Sequence, residues 1–346
     1  MQIQGWWWKW LGVILIFYSL LVGLLVPLGP GITSVSPNTA KHGEVVEIKI
    51  EGYNTNFAKE GTKVWLKVKD RAIGADHIQV IDRRNMRASF AMPRSLPSKD
   101  TIVNLTLITY TPNDGHSVLP SALFVIGNDL SQQTSDEWKA NIISTDMPAS
   151  FHFPFRNILA ETIRNTYYHV VLWFAMMIIF LISMISSVRH IRTGSLDADH
   201  KALGYASVGT LLGILGILTG AVWAKNTWGA YWSFDVKQNM SAIAMLIYAA
   251  YFILRQSISD PDLAKRFAAV YNIFAFCMLI PLLYIIPRMT DSLHPGSGGN
   301  PAFGSEDLDN TMRMVFYPAI IGWILFGCWM SNVTWRYLRI RDRTSP

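Results

Sequence analysis

Two histidines, one aromatic loop and a few cations carry the chemistry this sequence offers. His169 stands in "IRNTYYHVVLWF" and His294 in "PRMTDSLHPGSGGNPAFG". Between them runs "WAKNTWGAYWSFDVKQNMSAI", residues 223–243. Imidazole is a common axial ligand of haem iron. Trp228, Tyr231, Trp232 and Phe234 offer large flat apolar faces. Lys237, Arg288 and Arg313 lie near the same segments, and arginine suits bidentate contact with carboxylates. The set fits a flat, apolar, metal-bearing ligand with acidic edges, a porphyrin for instance, with His169 and His294 as the metal ligands. Each member also has a plainer use. A histidine at a membrane interface fills an amphipathic position, and His294 before Pro295 caps a turn. An aromatic run beside a span makes an interfacial belt. Asp235 stands where a helix N-cap is expected, and interfacial cations snorkel to headgroups.

Several chemistries are excluded. Cys277 and Cys328 sit inside apolar runs, with no CxxC for thiol redox and no CxxCH for covalent haem attachment. They read as small buried hydrophobes. There is no GxxxxGK[ST] phosphate loop, so an ATP-driven step belongs to a partner. His42, His77, His116 and His152 show no metal-ligand spacing, and His190 and His200 are assigned to a basic loop.

The elements that must position these residues are membrane helices. Of 346 residues 51% are hydrophobic and only 16% charged, more apolar than a soluble domain of this size. The net charge of +6 lies between apolar runs, which points to lipid headgroups and not to nucleic acid. Six runs are long enough to span a bilayer: about 10–28, 170–188, 203–223, 240–254, 267–286 and 314–335. The first reads as a retained anchor. Gly204, Gly209, Gly213, Gly216 and Gly220 in the third allow close helix approach. Basic residues mark the cytoplasmic side: Arg189, Arg192 and Lys201, then Arg255, Lys265 and Arg266, then Arg336, Arg339, Arg341 and Arg343. Both termini are then cytoplasmic, and the histidines and the aromatic loop share the outer face.

The fold class expected is mainly α, a polytopic membrane protein with an inserted all-β sandwich. The boundaries are 1–29 for the first span and 30–128 for the outer β insert. A linker and interfacial segment follows at 129–166, with an amphipathic helix near 157–166. The five-helix domain covers 167–337, its aromatic loop at 223–239, and a cytoplasmic tail covers 338–346. Short β-branched runs separated by turn-formers define the insert, ending near Ile126. Its opening, "ITSVSPNTAKHGEVVEIKIEGYNTNF", resembles IPT/TIG immunoglobulin-like domains, with His42–Gly43 where those carry Gly-Gly.

The loop "WGAYWSFDVKQNMSAI" resembles the tryptophan-rich WWD signature of the CcmC/CcsA family of cytochrome c maturation. Trp228, Gly229, Tyr231, Trp232, Asp235 and Lys237 match it, and Phe234 replaces the usual tryptophan. "TYYHVVLWF" and "SLHPGS" match the family's two outer histidines, His169 and His294. The resemblance covers about 156–335 and the first span, not the β insert. It implies a non-covalent, transient haem b on the outer face of a bacterial inner membrane. It also implies a CcmE-type haem chaperone and ATP-driven transporter subunits as partners, with no catalytic residue. Six spans without a histidine at mid-span favour the CcmC type. The CcsA-type haem lyase is the alternative, and a membrane-anchored interaction module is a third reading.

Overall fold

The computed structural model describes residues 5–58, 60–98, 100–127, 138–140, 151–157, 159–294 and 308–344. The chain divides into a helical unit, Met1–Leu25 with Thr162–Pro346, and a β unit, Val26–Glu161.

The helical unit comprises α1 (Trp7–Leu25), α2 (Val170–Thr193), α3 (Leu196–Trp228) and α4 (Val236–Ser257). It continues with α5 (Pro261–Ile280), a π-turn (Pro281–Ile285), α6 (Ile286–Met289) and α7 (Asn310–Thr344). Among the described residues, six helices are long and apolar enough to cross a membrane, the fifth running through α6 to Met289. This is a polytopic helical membrane protein with a β domain. Local signals set the ends. Gly194 closes α2 in the left-handed conformation, and Ser195 caps α3 by accepting from Ala198 N–H. Only those two residues join the helices, so α2 and α3 pair antiparallel. Asp260 with Pro261 at the first helical position starts α5.

The glycines of α3 form the seat for α2. A Cβ at Gly209 would lie 2.7 Å from the Phe180 ring, and one at Gly216 2.9 Å from Trp173. At Gly220 it would lie 2.6 Å from Cε1 of His169. Phe180, Trp173 and His169 thus interlock with successive turns of α3, as small residues permit in lipid. Gly12 of α1 and Gly322 of α7 bring those two helices together in the same way.

The helices run beyond the expected spans, and the reason is polar. At the end away from His169, Arg255 forks onto Asp199, with Nη1 to Oδ1 at 2.7 Å. Arg339 reaches Asp197 at 3.1 Å, and His200 bonds Asp342 at 2.6 Å. These partners satisfy the ends of α3, α4 and α7 where the helices leave the apolar runs. His190 and His200 therefore lie in α2 and α3, not in a loop as the sequence predicted. Cys277 is exposed on the face of α5, where a buried position was expected. The helix expected near 157–166 is a 3-10 helix over Ala160–Tyr167.

The β unit holds two sheets. In strand labels these are β1 (Gly31–Ser36), β2 (Thr39–Lys41), β3 (Val45–Tyr53), β4 (Lys63–Val68), β5 (Arg71–Gly74), β6 (His77–Val80), β7 (Asn85–Ala91), β8 (Ile102–Thr111), β9 (Gly115–Ile126) and β10 (Lys139–Ala140). One sheet has the order β1-β3-β7-β6 and the other β10-β5-β4-β8-β9-β2. Alternating residues such as Ile48, Ile50, Leu66, Phe90, Leu105, Leu107 and Leu123 fill one core. The strands do not stop near Ile126. Trp138 joins that core, and the next two residues, β10, pair antiparallel with β5. The intervening 128–137, part of the expected linker, lies outside the described residues.

Candidate functional site

His169 is the N-cap residue of α2, immediately before Val170. Its Nδ1 lies 2.9 Å from the carbonyl oxygen of Gly216 and 3.2 Å from Thr219 Oγ1. A carbonyl only accepts, so Nδ1 carries the proton and Nε2 keeps its lone pair. Trp173 stands edge-on to the ring at 6.2 Å.

His294 is held in the same way by a different device. Its Nδ1 lies 2.9 Å from Oδ1 of Asp235. Asp235 caps α4, accepting from Lys237 N–H at 2.9 Å. Its carboxylate also accepts from Leu293 N–H at 2.8 Å and from the Ser292 hydroxyl at 2.9 Å. One carboxylate therefore ties the start of α4 to the segment bearing His294. Burial pushes the Asp235 carboxyl up, but the Leu293 N–H, the His294 ring and the Lys237 N–H together hold it below its ordinary value. Burial pushes the His294 imidazole down to about 4, with Asp235 opposing and the Lys237 charge reinforcing. At neutral pH a neutral imidazole donates from Nδ1 to an ionised carboxylate. That is the outer-shell arrangement that fixes tautomer and ring orientation in metal sites.

Both histidines sit at one end of the bundle, near enough for a charge on His294 to bear on His169. The last turns of α3 serve both. Gly216, Thr219 and Gly220 seat His169, while Trp223 packs against His294 with centroids 5.6 Å apart. Trp228 meets the His294 ring edge-on at 4.8 Å. The glycines of α3 are legible as a close-approach face, whereas the roles of Trp223 and Ser292 carry no local sequence signal. Their contacts arise only when α3, α4 and the 290–294 segment come together.

The other expected site residues divide into groups. Gly229 ends α3 at φ 84°, its N–H bonded to the Lys225 carbonyl, so it shapes the turn into the loop. Tyr231 and Phe234 are 61% and 78% exposed. Trp232 is half-buried, as is Lys237. Arg288 is exposed at the end of α6. Arg313 lies in the first turn of α7, and its Nε is buried with no hydrogen-bond partner among the described residues. Pro295 and the Gly-rich segment after it lie outside the described residues. No cluster of three or more His, Cys, Asp or Glu side chains that could hold a metal ion occurs among the described residues.

Fold and site together define a class: a polytopic helical membrane protein presenting two braced imidazoles and an aromatic loop at one end of its bundle. Residues 141–345, more than half the chain, match the family model CcmC, heme exporter protein C. The chain belongs to that family. Among similar proteins, heme exporter protein C of Paracoccus denitrificans (strain Pd 1222) is 26% identical over 120 residues, 35% of this chain and 49% of that protein. Heme exporter protein C of Escherichia coli (strain K12) is 23% identical over 145 residues, 42% of this chain and 55% of that protein. Cytochrome c biogenesis protein CcsA of Synechococcus sp. (strain CC9311) is 45% identical over 75 residues, 21% of this chain and 23% of that protein. The chain thus spans about half the length of these heme exporter relatives and under a quarter of the CcsA relative.

Proposed function

We propose that this protein handles haem during cytochrome c maturation, holding it between His169 and His294 and passing it to a haem chaperone. One observation carries the reading: Nδ1 of each ring is bonded to the protein, to Gly216 O and to Asp235, so each presents Nε2 for iron. Haem is cargo here, a non-covalent haem b, and its iron supplies two reversible bonds to imidazole. The chain's own work is to bind and orient, and no residue has a catalytic role. Trp228, Tyr231, Trp232 and Phe234 give apolar faces beside the porphyrin. Lys237, Arg288 and Arg313 pair with the propionates, and the open donor on Arg313 Nε supports its place in that set. The partners are a CcmE-type chaperone and the ATP-driven transporter subunits. The basic residues away from the site support an inner-membrane protein with cytoplasmic termini, its haem site and immunoglobulin-like β domain periplasmic. The β domain docks partners and takes no part in haem ligation.

A CcsA-type haem lyase is the second reading, favoured by the higher local identity to the CcsA relative. Spectra of the detergent-purified full chain, with and without His169 and His294, test haem holding. Co-expression with an apocytochrome alone separates the readings. A lyase makes covalent cytochrome c without a chaperone, and a haem-transfer protein does not.

A further inference from the structure

We propose that Gln238 is a positioning residue that fixes the aromatic loop in a haem-ready form before haem arrives. The inference rests on the reading above and concerns a side chain outside the motif. Gln238 is buried in the first turns of α4. Its Oε1 accepts from the Ser233 N–H at 2.9 Å and the Ser233 hydroxyl at 3.1 Å. Its Nε2 donates to the Tyr231 carbonyl at 3.3 Å. Its neighbour Asn239 donates from Nδ2 to the Phe234 carbonyl at 2.8 Å. Residues 231–234 belong to neither helix, so their backbone groups would otherwise face water. At the other end of the loop, Lys225 Nζ donates to the Gly229 carbonyl at 2.8 Å.

The loop pinned in this way holds Phe234 at φ 57°, a left-handed conformation rarely taken by a bulky residue. Such a conformation persists only when its surroundings over-determine it, and it concentrates at ligand sites. Phe234 and Tyr231 are the most exposed rings of this loop, yet their carbonyls accept from Asn239 and Gln238. A belt of rings meeting lipid has no need of a fixed loop. A ring that must meet a flat ligand does, because ordering the loop beforehand removes that cost from binding.

Two variants of the full-length protein in detergent test this: Gln238→Met, which keeps length and loses all three bonds, and Gln238→Glu, which keeps the acceptor for Ser233. Haem loss to an excess of scavenger protein is followed, with the low-spin absorbance spectrum and the unfolding midpoint of the haem-free protein. Gln238→Met is expected to release haem on the order of tenfold faster. Gln238→Glu should stay within about threefold of the parent, since two of the three bonds remain. Both keep the low-spin spectrum and a haem-free midpoint near the parent's, because His169 and His294 are held by other groups. Release from Gln238→Met at the parental rate overturns the proposal, as does Gln238→Glu releasing as fast as Gln238→Met. Faster release with an equally lowered haem-free midpoint reduces Gln238 to a folding role and overturns it too. His169→Ala is run alongside: if that variant keeps haem as the parent does, the site reading itself has failed.

Discussion

Gly220→Ala places one methyl group where the account leaves no room for it. The added carbon would stand 2.6 Å from Cε1 of His169, where ordinary contact begins near 3.4 Å. The ring must therefore move by about 0.8 Å or the helices must part. Its bond to the Gly216 carbonyl is 2.9 Å, so a shift of that size takes it past the limit of a hydrogen bond. Overpacking of this kind costs about 1–3 kcal/mol of stability. Losing an outer-shell bond to a metal-binding histidine costs about 10–100-fold in affinity. The assay is haem titration of the purified protein, read at the Soret band, beside thermal unfolding. Gly213→Ala is the matched control. It meets Met245 Sδ at 2.3 Å, a comparable clash two turns away against a flexible side chain. Gly220→Ala should lose both stability and haem affinity, whereas Gly213→Ala loses stability alone. Equal haem affinity in the two variants would refute the claim that α3 sets the position of His169.

Four further predictions follow from the structure. Asp235→Asn keeps the size of the α4 cap and removes the charge that orients His294, so haem affinity should fall about 10–100-fold with little change in helix content, as measured by titration and circular dichroism. Burial holds the His294 imidazole at about 4 in the folded protein, below its ordinary 6.5, so the stability of the haem-free protein should be insensitive to this group above pH 6.5 and fall as pH drops from 6.5 towards 4; a thermal midpoint that rises over that window because of His294, by comparison with His294→Ala, would contradict its burial as a neutral ring. Replacing Trp228 and Trp232 together by leucine should sharply speed haem release, while Phe234→Trp changes it little, each ring adding about 1 kcal/mol beyond its buried area; normal retention in the double variant would make the loop an interfacial belt. Arg255→Met leaves Asp199 buried without its partner and should cost about 3–5 kcal/mol, and Asp199→Asn added to it should recover most of the loss in thermal unfolding.

The six spans were legible because lipid demands long apolar runs, and the β strands because they alternate. Helix ends were read short, since the runs stop where charges begin. Asp197, Asp199 and Asp342 meet Arg339, Arg255 and His200 across helices, and that pairing carries the helices onward. No local pattern shows it. Trp138 was assigned to a linker for a related reason: a single tryptophan in a polar stretch looks exposed until it enters a core built by distant strands. At the site, His169, His294 and the aromatic loop stood out by residue type. Asp235 was legible as a cap, since an acid before an apolar run is a local signal. Its second task, gathering Ser292, Leu293 and His294, depends on a contact across more than fifty residues of sequence. The roles of Trp223 and Gln238 have no local signal, because a tryptophan ending a span and a glutamine in a first helical turn are ordinary until their partners are known.

The central claim is axial ligation of haem by His169 and His294. Its most direct test is electron paramagnetic resonance of the ferric haem-loaded protein, compared with His169→Ala and His294→Ala. The parent should give a six-coordinate low-spin signal, and each variant should lose it for a high-spin one that exogenous imidazole converts back. A low-spin signal unchanged in both single variants would place the iron on other ligands and contradict the account.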